Sequence, residues 1–273
     1  MDDDKTFSSR QEMNQLGSRK PSRPSNEVAA ARDAELPLRW KFRVGCEAAS
    51  EWLWQDHGAP PLDQLRPVRR PRSSERNRHI PATVYSMTNG DFVSLESGLE
   101  HDLVRRVDRD PTVTRIVAQP FELFTRGSKR VCHTPDLLSA HASGTVVVWD
   151  VRPLQEQDDT FLTKADLTRL ASEAVGWRYE IFTGINETER LNMLWLYGFR
   201  RRPPWAGKVE RRIDAAATCS GATLGTIMAL DDGSGEVTSA MWHMLWSGQL
   251  VVDEGAHWTP DTAVAVRVEP CRG

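Results

Sequence analysis

The chain has 273 residues, a formal net charge of -3, 39% apolar and 27% charged side chains, the make-up of a globular protein long enough for one large or two modest cores. Near-balanced charge excludes a globally basic nucleic-acid binder, so any contact with DNA has to come from local patches. No apolar run reaches the length of a membrane span, the acidic start MDDDKTFSSR lacks the apolar stretch of a signal peptide, and Cys46, Cys132, Cys219 and Cys271 are too scattered for a CxxC zinc pair or a disulfide framework, which points to a cytoplasmic setting with no membrane partner.

Residues 1–35 are rich in Ser, Arg, Asp, Asn and Pro without apolar periodicity, and are expected to be disordered because they cannot bury enough surface to offset their ordering entropy. From Leu38 to Trp54 the stretch RWKFRVGCEAASEWLW predicts a short amphipathic helix, either docked on a partner or covering the body of the protein. RPVRRPRSSERNR, residues 66–78, carries six arginines against one glutamate, with Pro67 and Pro71 ruling out a regular helix; it is a solvated linker or a phosphate-contacting strip. A strand around Ala82–Tyr85 and an Asn-Gly turn at Asn89 and Gly90 lead into a helix expected over Ser94–Asp108, whose stripe of Leu95, Leu99, Leu103, Val104 and Val107 would be buried. Glu100 borders that stripe and is either a surface charge or a carboxylate that reaches the elements beyond. Strands follow at Val113–Val117 and Phe121–Thr125, broken by Gln119 and Pro120.

Two apolar runs, LLSA and TVVVWDV, are joined by His-Ala-Ser-Gly and predict a β-hairpin. With Ala142–Gly144 as its loop, Asp136 falls opposite Asp150, and opposed residues stand roughly 4.5 to 5.5 Å apart at Cβ, close enough for two carboxylates to share one divalent cation. Period-2 alternation puts Arg152 on the face of Asp150 and Val148. Carboxylates and water suit Mg²⁺, with Mn²⁺ as a substitute, and Mg²⁺ is commonly held together with substrate phosphate oxygens; the chemistry this suits is phosphodiester hydrolysis. The seven histidines show no HExxH or other tight spacing, so no zinc site is expected.

A helix is expected over Thr160–Ala174, ending near Gly176. Lys164 on it is read as solvated, although it could face DNA. YEIFTG then gives a strand and LNMLWLYGF a helix. Arg200, Arg201, Arg202, Pro203 and Pro204 form a hinge-like basic link. Beyond it GATLGTIMAL, SGEVTSAMWHMLWSGQLVVD and WTPDTAVAVRV predict helix, helix and a pair of short strands, the order of a winged helix-turn-helix domain. The segment Ser239–Trp246 is mostly apolar, which favours core over base reading.

These residues resemble the TnsA-like endonuclease subunits of heteromeric cut-and-paste transposases, a branch of the restriction-endonuclease-like nucleases. The likeness rests on SGLEHDL for the helix glutamate, DPTVTRIVAQPFEL for the next strand, HTPDLL for the metal aspartate and VVVWDVRP for the last strand, and continues through GWRYEIFTG and LNMLWLYGFRR over about residues 78–266. It implies an α/β fold with a restriction-endonuclease-like core over 79–202 and a winged-helix-like domain over 203–273, preceded by the disordered tail (1–35) and a helix with its basic linker (36–78). It implies that Glu100, Asp136 and Asp150 are the metal ligands and that Arg152 completes the catalytic set at the position usually held by Lys. An arginine cannot give up its proton to act as base, but it can hold a phosphate bidentately. The activity implied is Mg²⁺-dependent cutting of the 5′ ends of a mobile element, in company with transposon-end DNA, an integrase-type transposase subunit and an ATPase transposition regulator. The other readings are a self-standing restriction or repair nuclease and a non-catalytic assembly subunit that keeps the fold.

Overall fold

A computed structural model describes residues 38–53, 59–69, 82–125 and 132–267. The tail expected to be disordered, the linker from residue 70 onward and Cys271 lie outside the described residues. The fold is mixed α/β, built on a four-stranded sheet. Helix α1 (Gly98–Arg109) leads through strand β6 (Val113–Ala118) into the hairpin of β9 (Leu137–His141) and β10 (Val146–Val151), and helix α2 (Asp159–Ala174) returns the chain to β11 (Arg178–Phe182), which pairs parallel with β10. The strand order is β11-β10-β9-β6, antiparallel except at that last pair.

One correction concerns Leu38–Trp54, where a helix was expected. The segment instead forms strands β1 (Leu38–Val44) and β2 (Ser50–Trp52). In LRWKFRV the buried positions Trp40 and Phe42 alternate with Arg39, Lys41 and Arg43, a period of two that only a strand can bury on one face. Strand β1 pairs antiparallel with β7 (Phe121–Thr125), setting Trp40 opposite Leu123 and Phe42 opposite Phe121. The short β3 (Leu65–Arg66) adds to β1 and β8 (Cys132–His133) to β7. This second sheet meets the first through Trp40, whose ring lies 4.4 Å from Phe121 and edge-on at 6.1 Å to Trp177. Full burial of side chains of this size contributes on the order of 2 to 3 kcal/mol each, so Trp40→Ala is a core-breaking change.

A second correction is the start of α1. Ser94 and Leu95 belong to β5 (Asp91–Leu95), the partner of β4 (Ala82–Ser86), and Ser97 caps the helix by accepting from the Glu100 N–H at 3.2 Å. Leu103, Val104 and Val107 form the buried stripe and pack with Val84, Val93 and Leu95 against the sheet. Asp108, at the far end of α1, accepts from Ser86 Oγ (2.6 Å) and from the Met87 and Thr88 N–H groups (both 2.9 Å), which locks the β4–β5 loop to the helix.

Beyond β11 come α3 (Glu187–Tyr197), α4 (Ala206–Thr218), α5 (Leu224–Met228) and α6 (Glu236–Trp246), then β12 (Leu250–Val251) paired antiparallel with β13 (Ala265–Val266). The two expected helices are present, preceded by α4, but of the strand pair only β13 falls in WTPDTAVAVRV; its partner β12 lies just after α6. Its buried residues Ala206, Val209, Ile213 and Ala217 recur every three or four positions, but small alanines make that stripe faint in sequence. Helix α6 is buried from Val237 to Trp246 on nearly every side, which fits the core reading and leaves little free face for a DNA groove. Its core also takes in Leu196, with Tyr197 and Phe199 packed against it. Arg109 of α1 joins the same unit, donating to the Trp246 and Leu245 carbonyls at 2.6 and 2.5 Å and pairing with Glu254 at 2.6 Å. Among the described residues no helix is long and apolar enough to cross a membrane.

Candidate active site

The β9–β10 hairpin turns through Ala142–Gly144, with Gly144 at φ 83°, a left-handed conformation that favours glycine. His141 N–H donates to the Thr145 carbonyl at 2.9 Å, closing the loop. Pairing runs from Ala140 opposite Val146 to Leu137 opposite Trp149, where the ladder ends; Asp136, expected to pair with Asp150, lies one residue before β9, close enough for the charge of Asp150 to act on it. Asp136 is pinned there by its own N–H, which donates to the Trp149 carbonyl at 3.0 Å, and by the Val151 N–H, which donates to Asp136 Oδ2 at 2.7 Å.

Asp150 is only 1% exposed, and a buried carboxylate needs partners. It has two. His133 Nε2 donates to its two oxygens at 2.9 and 2.8 Å, and the Tyr179 hydroxyl donates to Oδ2 at 2.5 Å. Tyr179 comes from β11, the parallel neighbour, and His133 from β8, so Asp150 ties three strands together. Burial, and then the charge of Asp150, push the Tyr179 phenol well above its ordinary value, so it acts as a fixed donor. The Asp136 carboxyl is held well above the usual carboxylate range, first by burial and then by the charges of Asp150 and Glu100; the bond from Val151 works in the opposite direction.

Glu100 is 6% exposed and sits in the first turn of α1. Its Oε2 accepts from the Glu96 N–H and its Oε1 from Ser97 Oγ, both at 2.8 Å. With the reverse bond from Glu100 N–H to Ser97 Oγ this is a variant of the capping box, in which a serine and a glutamate satisfy helix-end donors reciprocally. Burial raises the Glu100 carboxyl, and these two bonds oppose the rise.

Glu100, Asp136, Asp150 and Arg152 line one cleft of about 490 Å³, together with Glu96, His133 and Lys164. Arg152 lies just past the end of β10. Its Nε donates to the Glu156 carbonyl at 3.1 Å and its guanidinium sits over the Phe161 ring at 5.8 Å, so the charge is held against the cleft wall by α2 and the turn before it. Lys164, read from sequence as a solvated surface residue, therefore supplies a second cation to the cleft. His133 and Tyr179 are absent from the sequence-derived set. The histidine lies three residues before Asp136 without a metal-motif spacing, and Tyr179 reaches Asp150 only because β11 runs parallel to β10, a pairing that its own sequence does not announce.

Compared with known protein families and with curated proteins, the chain gives no match.

Whether the cleft fits the implied Mg²⁺ is a question of donors and charge. Among the described residues no three His, Cys, Asp or Glu side chains converge closely enough to hold a metal ion. Asp136 and Asp150 do fit in type, as neighbouring hard oxygen donors whose mutual repulsion a cation would relieve, and Mg²⁺ is often bound by one or two carboxylates completed by water and phosphate. Glu100 fits only on leaving its cap, since both of its oxygens are engaged there, and Asp150 would have to share oxygens that now accept from His133 and Tyr179.

Proposed function

We propose that the chain is a Mg²⁺-dependent DNA endonuclease, with Asp136 and Asp150 as the metal-holding pair, and that it acts as the 5′-end-cutting subunit of a TnsA-like heteromeric transposase. The observation that carries this reading is the meeting of carboxylates from α1, from the residue before β9 and from β10 with Arg152 and Lys164 in one cleft. Negative and positive groups side by side suit a phosphodiester, which has to be held as an anion while its phosphorus is attacked. A cation held by Asp136 and Asp150 would supply Lewis acidity and an activated water. Arg152 and Lys164 bind and orient the phosphate and stabilise the charge that grows on it. His133, donating from Nε2 to both oxygens of Asp150, holds that carboxylate in place. The winged-helix-like assignment of the C-terminal unit, the transposase and ATPase partners and the cytoplasmic setting belong to the same proposal.

The test is nicking of supercoiled plasmid in Mg²⁺ and in EDTA, with and without a partner transposase subunit. Metal-dependent nicking that Asp136→Ala abolishes is the expected result, and nicking indifferent to both metal and Asp136 contradicts it. A second reading, the non-catalytic assembly subunit, is favoured by the hydrogen bonds that occupy both oxygens of Glu100 and of Asp150. Crystals soaked in Mn²⁺ separate the two, because an ion between Asp136 and Asp150 supports the first and a cleft without an ion supports the second.

A further inference from the structure

A second cavity, of about 540 Å³, opens where β1 and β3 meet β5 and β6. Arg43, Arg66, Arg69 and Arg115 line it, with Gln119 and Phe92. Arg43 and Arg66 are direct partners across the β1–β3 pair, and like charges directly opposite each other destabilise a sheet. Among the described residues neither forms an ion pair, and neither does Arg115. Arg115 donates to the Leu65 carbonyl at 3.3 Å and leaves its Nε buried without a partner. Its guanidinium is held below its ordinary value by burial and then by Arg66, with Asp63 and Asp91 offsetting this in part. Nothing in the packing of the sheet requires this concentration of positive charge.

Gln119 is the second, independent sign of a ligand. It is 1% exposed, it takes a left-handed φ of 47°, and both atoms of its side-chain amide lack a hydrogen-bond partner. A buried unsatisfied amide costs on the order of 1 to 3 kcal/mol per group, and a left-handed non-glycine residue adds strain. The position is fixed by its backbone, because Gln119 N–H donates to the Asp136 carbonyl and its own carbonyl accepts from Val68 N–H, each at 2.9 Å. An acceptor-rich anion in the cavity would satisfy the amide N–H and relieve the opposed arginines together.

The cavity is joined to the carboxylate cleft. Arg69 on its wall pairs at 3.1 Å with Glu96, which lines the cleft, and Gln119 holds the backbone of Asp136 as described. Phe92, 67% exposed, stands at the cavity with its ring edge-on to Tyr85. An exposed aromatic beside clustered arginines suits a sugar or base next to its phosphate better than a free inorganic anion. We propose that this cavity is a seat for a nucleic-acid backbone phosphate, gripped by Arg43, Arg66 and Arg115, on the strand that enters the neighbouring cleft. The proposal rests on the nuclease reading for the identity of its ligand.

The experiment measures binding of a fluorescent DNA duplex to the full chain in EDTA across a salt series, so that cleavage plays no part. Arg66→Gln with Arg43→Gln should weaken binding by about 10-fold or more and lower the slope of log affinity against log salt by about 1, the one phosphate that the seat neutralises. Arg66→Lys should restore most of the affinity lost in Arg66→Gln, and Arg211→Gln, on the exposed side of α4, should change little. Thermal melts check that each variant folds, and Arg115→Gln serves as a further variant if the pair proves unstable. Unchanged affinity and slope in a folded double variant overturn the seat, even where wild type nicks DNA with metal. Weakened binding in a protein that never nicks DNA keeps the seat and overturns the nuclease reading. Titration with inorganic phosphate supplies the last arm: phosphate binding that the arginine variants abolish while DNA binding persists would identify a free-anion site and overturn the nucleic-acid assignment.

Discussion

Replacing Asp136 by Asn removes one carboxylate charge and keeps an oxygen that can accept from Val151 N–H. Two carboxylates at a separation of about 5 Å, in surroundings of effective dielectric near 20, repel by roughly 3 kcal/mol, the scale taken for the push that the charge of Asp150 gives Asp136. Burial and Glu100 add to this. The folded carboxyl lies above its unfolded value near 3.9, so the folded state binds the proton more tightly. The resulting stability is fully present below the unfolded value and is lost as pH rises through the folded one. Asp136→Asn escapes that loss. In EDTA the two proteins should melt alike in acid, and the variant should gain with rising pH until it melts higher by about 6 to 12 °C, taking 2 to 4 °C per kcal/mol for a chain of this size. Mg²⁺ should then raise the wild-type melting point and raise that of Asp136→Asn little. Differential scanning fluorimetry over a pH series, with and without Mg²⁺, reads both effects. A variant that melts lower than wild type at alkaline pH in EDTA, or a gain that does not depend on pH, would refute the electrostatic reasoning.

Glu100→Gln keeps the reciprocal cap, since glutamine serves as well as glutamate there, so its melting point should stay near wild type; a loss of cleavage of about 10-fold or more without loss of stability would assign Glu100 a part in the chemistry beyond the cap. Arg152→Lys should retain much of the cleavage activity, whereas Arg152→Ala should lose about 10²-fold, the scale for removing one preorganised stabilising donor; single-turnover rates on both, and on Lys164→Ala, divide the work between the two cations. Arg109→Ala removes two charge-assisted bonds to the end of α6 and the pair with Glu254. At about 1.5 to 3 kcal/mol for a hydrogen bond to a charged group, chemical denaturation should show a loss of about 3 kcal/mol or more, and a loss below about 1 kcal/mol would mean that α1 and the C-terminal unit are held elsewhere.

Much of the hairpin was legible because its signals agree. The apolar runs, the Gly144 turn and the loop length all set one register, from Ala140 opposite Val146 to Leu137 opposite Trp149. In Leu38–Val44 the aromatic and aliphatic content suggests a helix, but Trp40 and Phe42 stand two apart, a strand period, and the partner that buries them, β7, is about 80 residues away in sequence. Helix α4 leaves little trace in the sequence because its alanines carry little of the apolar signal that a helix face gives. His133 and Tyr179 were invisible for a different reason. Each reaches Asp150 through strand pairings of long range, β8 with β7 and β11 with β10, and single-sequence patterns contain no record of which strands become neighbours. The arginine cavity shows the same limit. Arg66 and Arg69 lay in a basic run that sequence singled out, but their neighbours Arg43 and Arg115 come from β1 and β6 and join them only in the fold.

The measurement that bears most directly on the proposed activity is single-turnover cleavage of transposon-end DNA labelled on the 5′-ended strand, with the partner transposase subunit present, by wild type and by Asp136→Ala in Mg²⁺ and in EDTA. The expected result is cleavage of that strand by wild type in Mg²⁺ alone, with Asp136→Ala and the EDTA reactions at background. Equal cleavage by wild type and Asp136→Ala, or background levels for wild type in Mg²⁺, would contradict it.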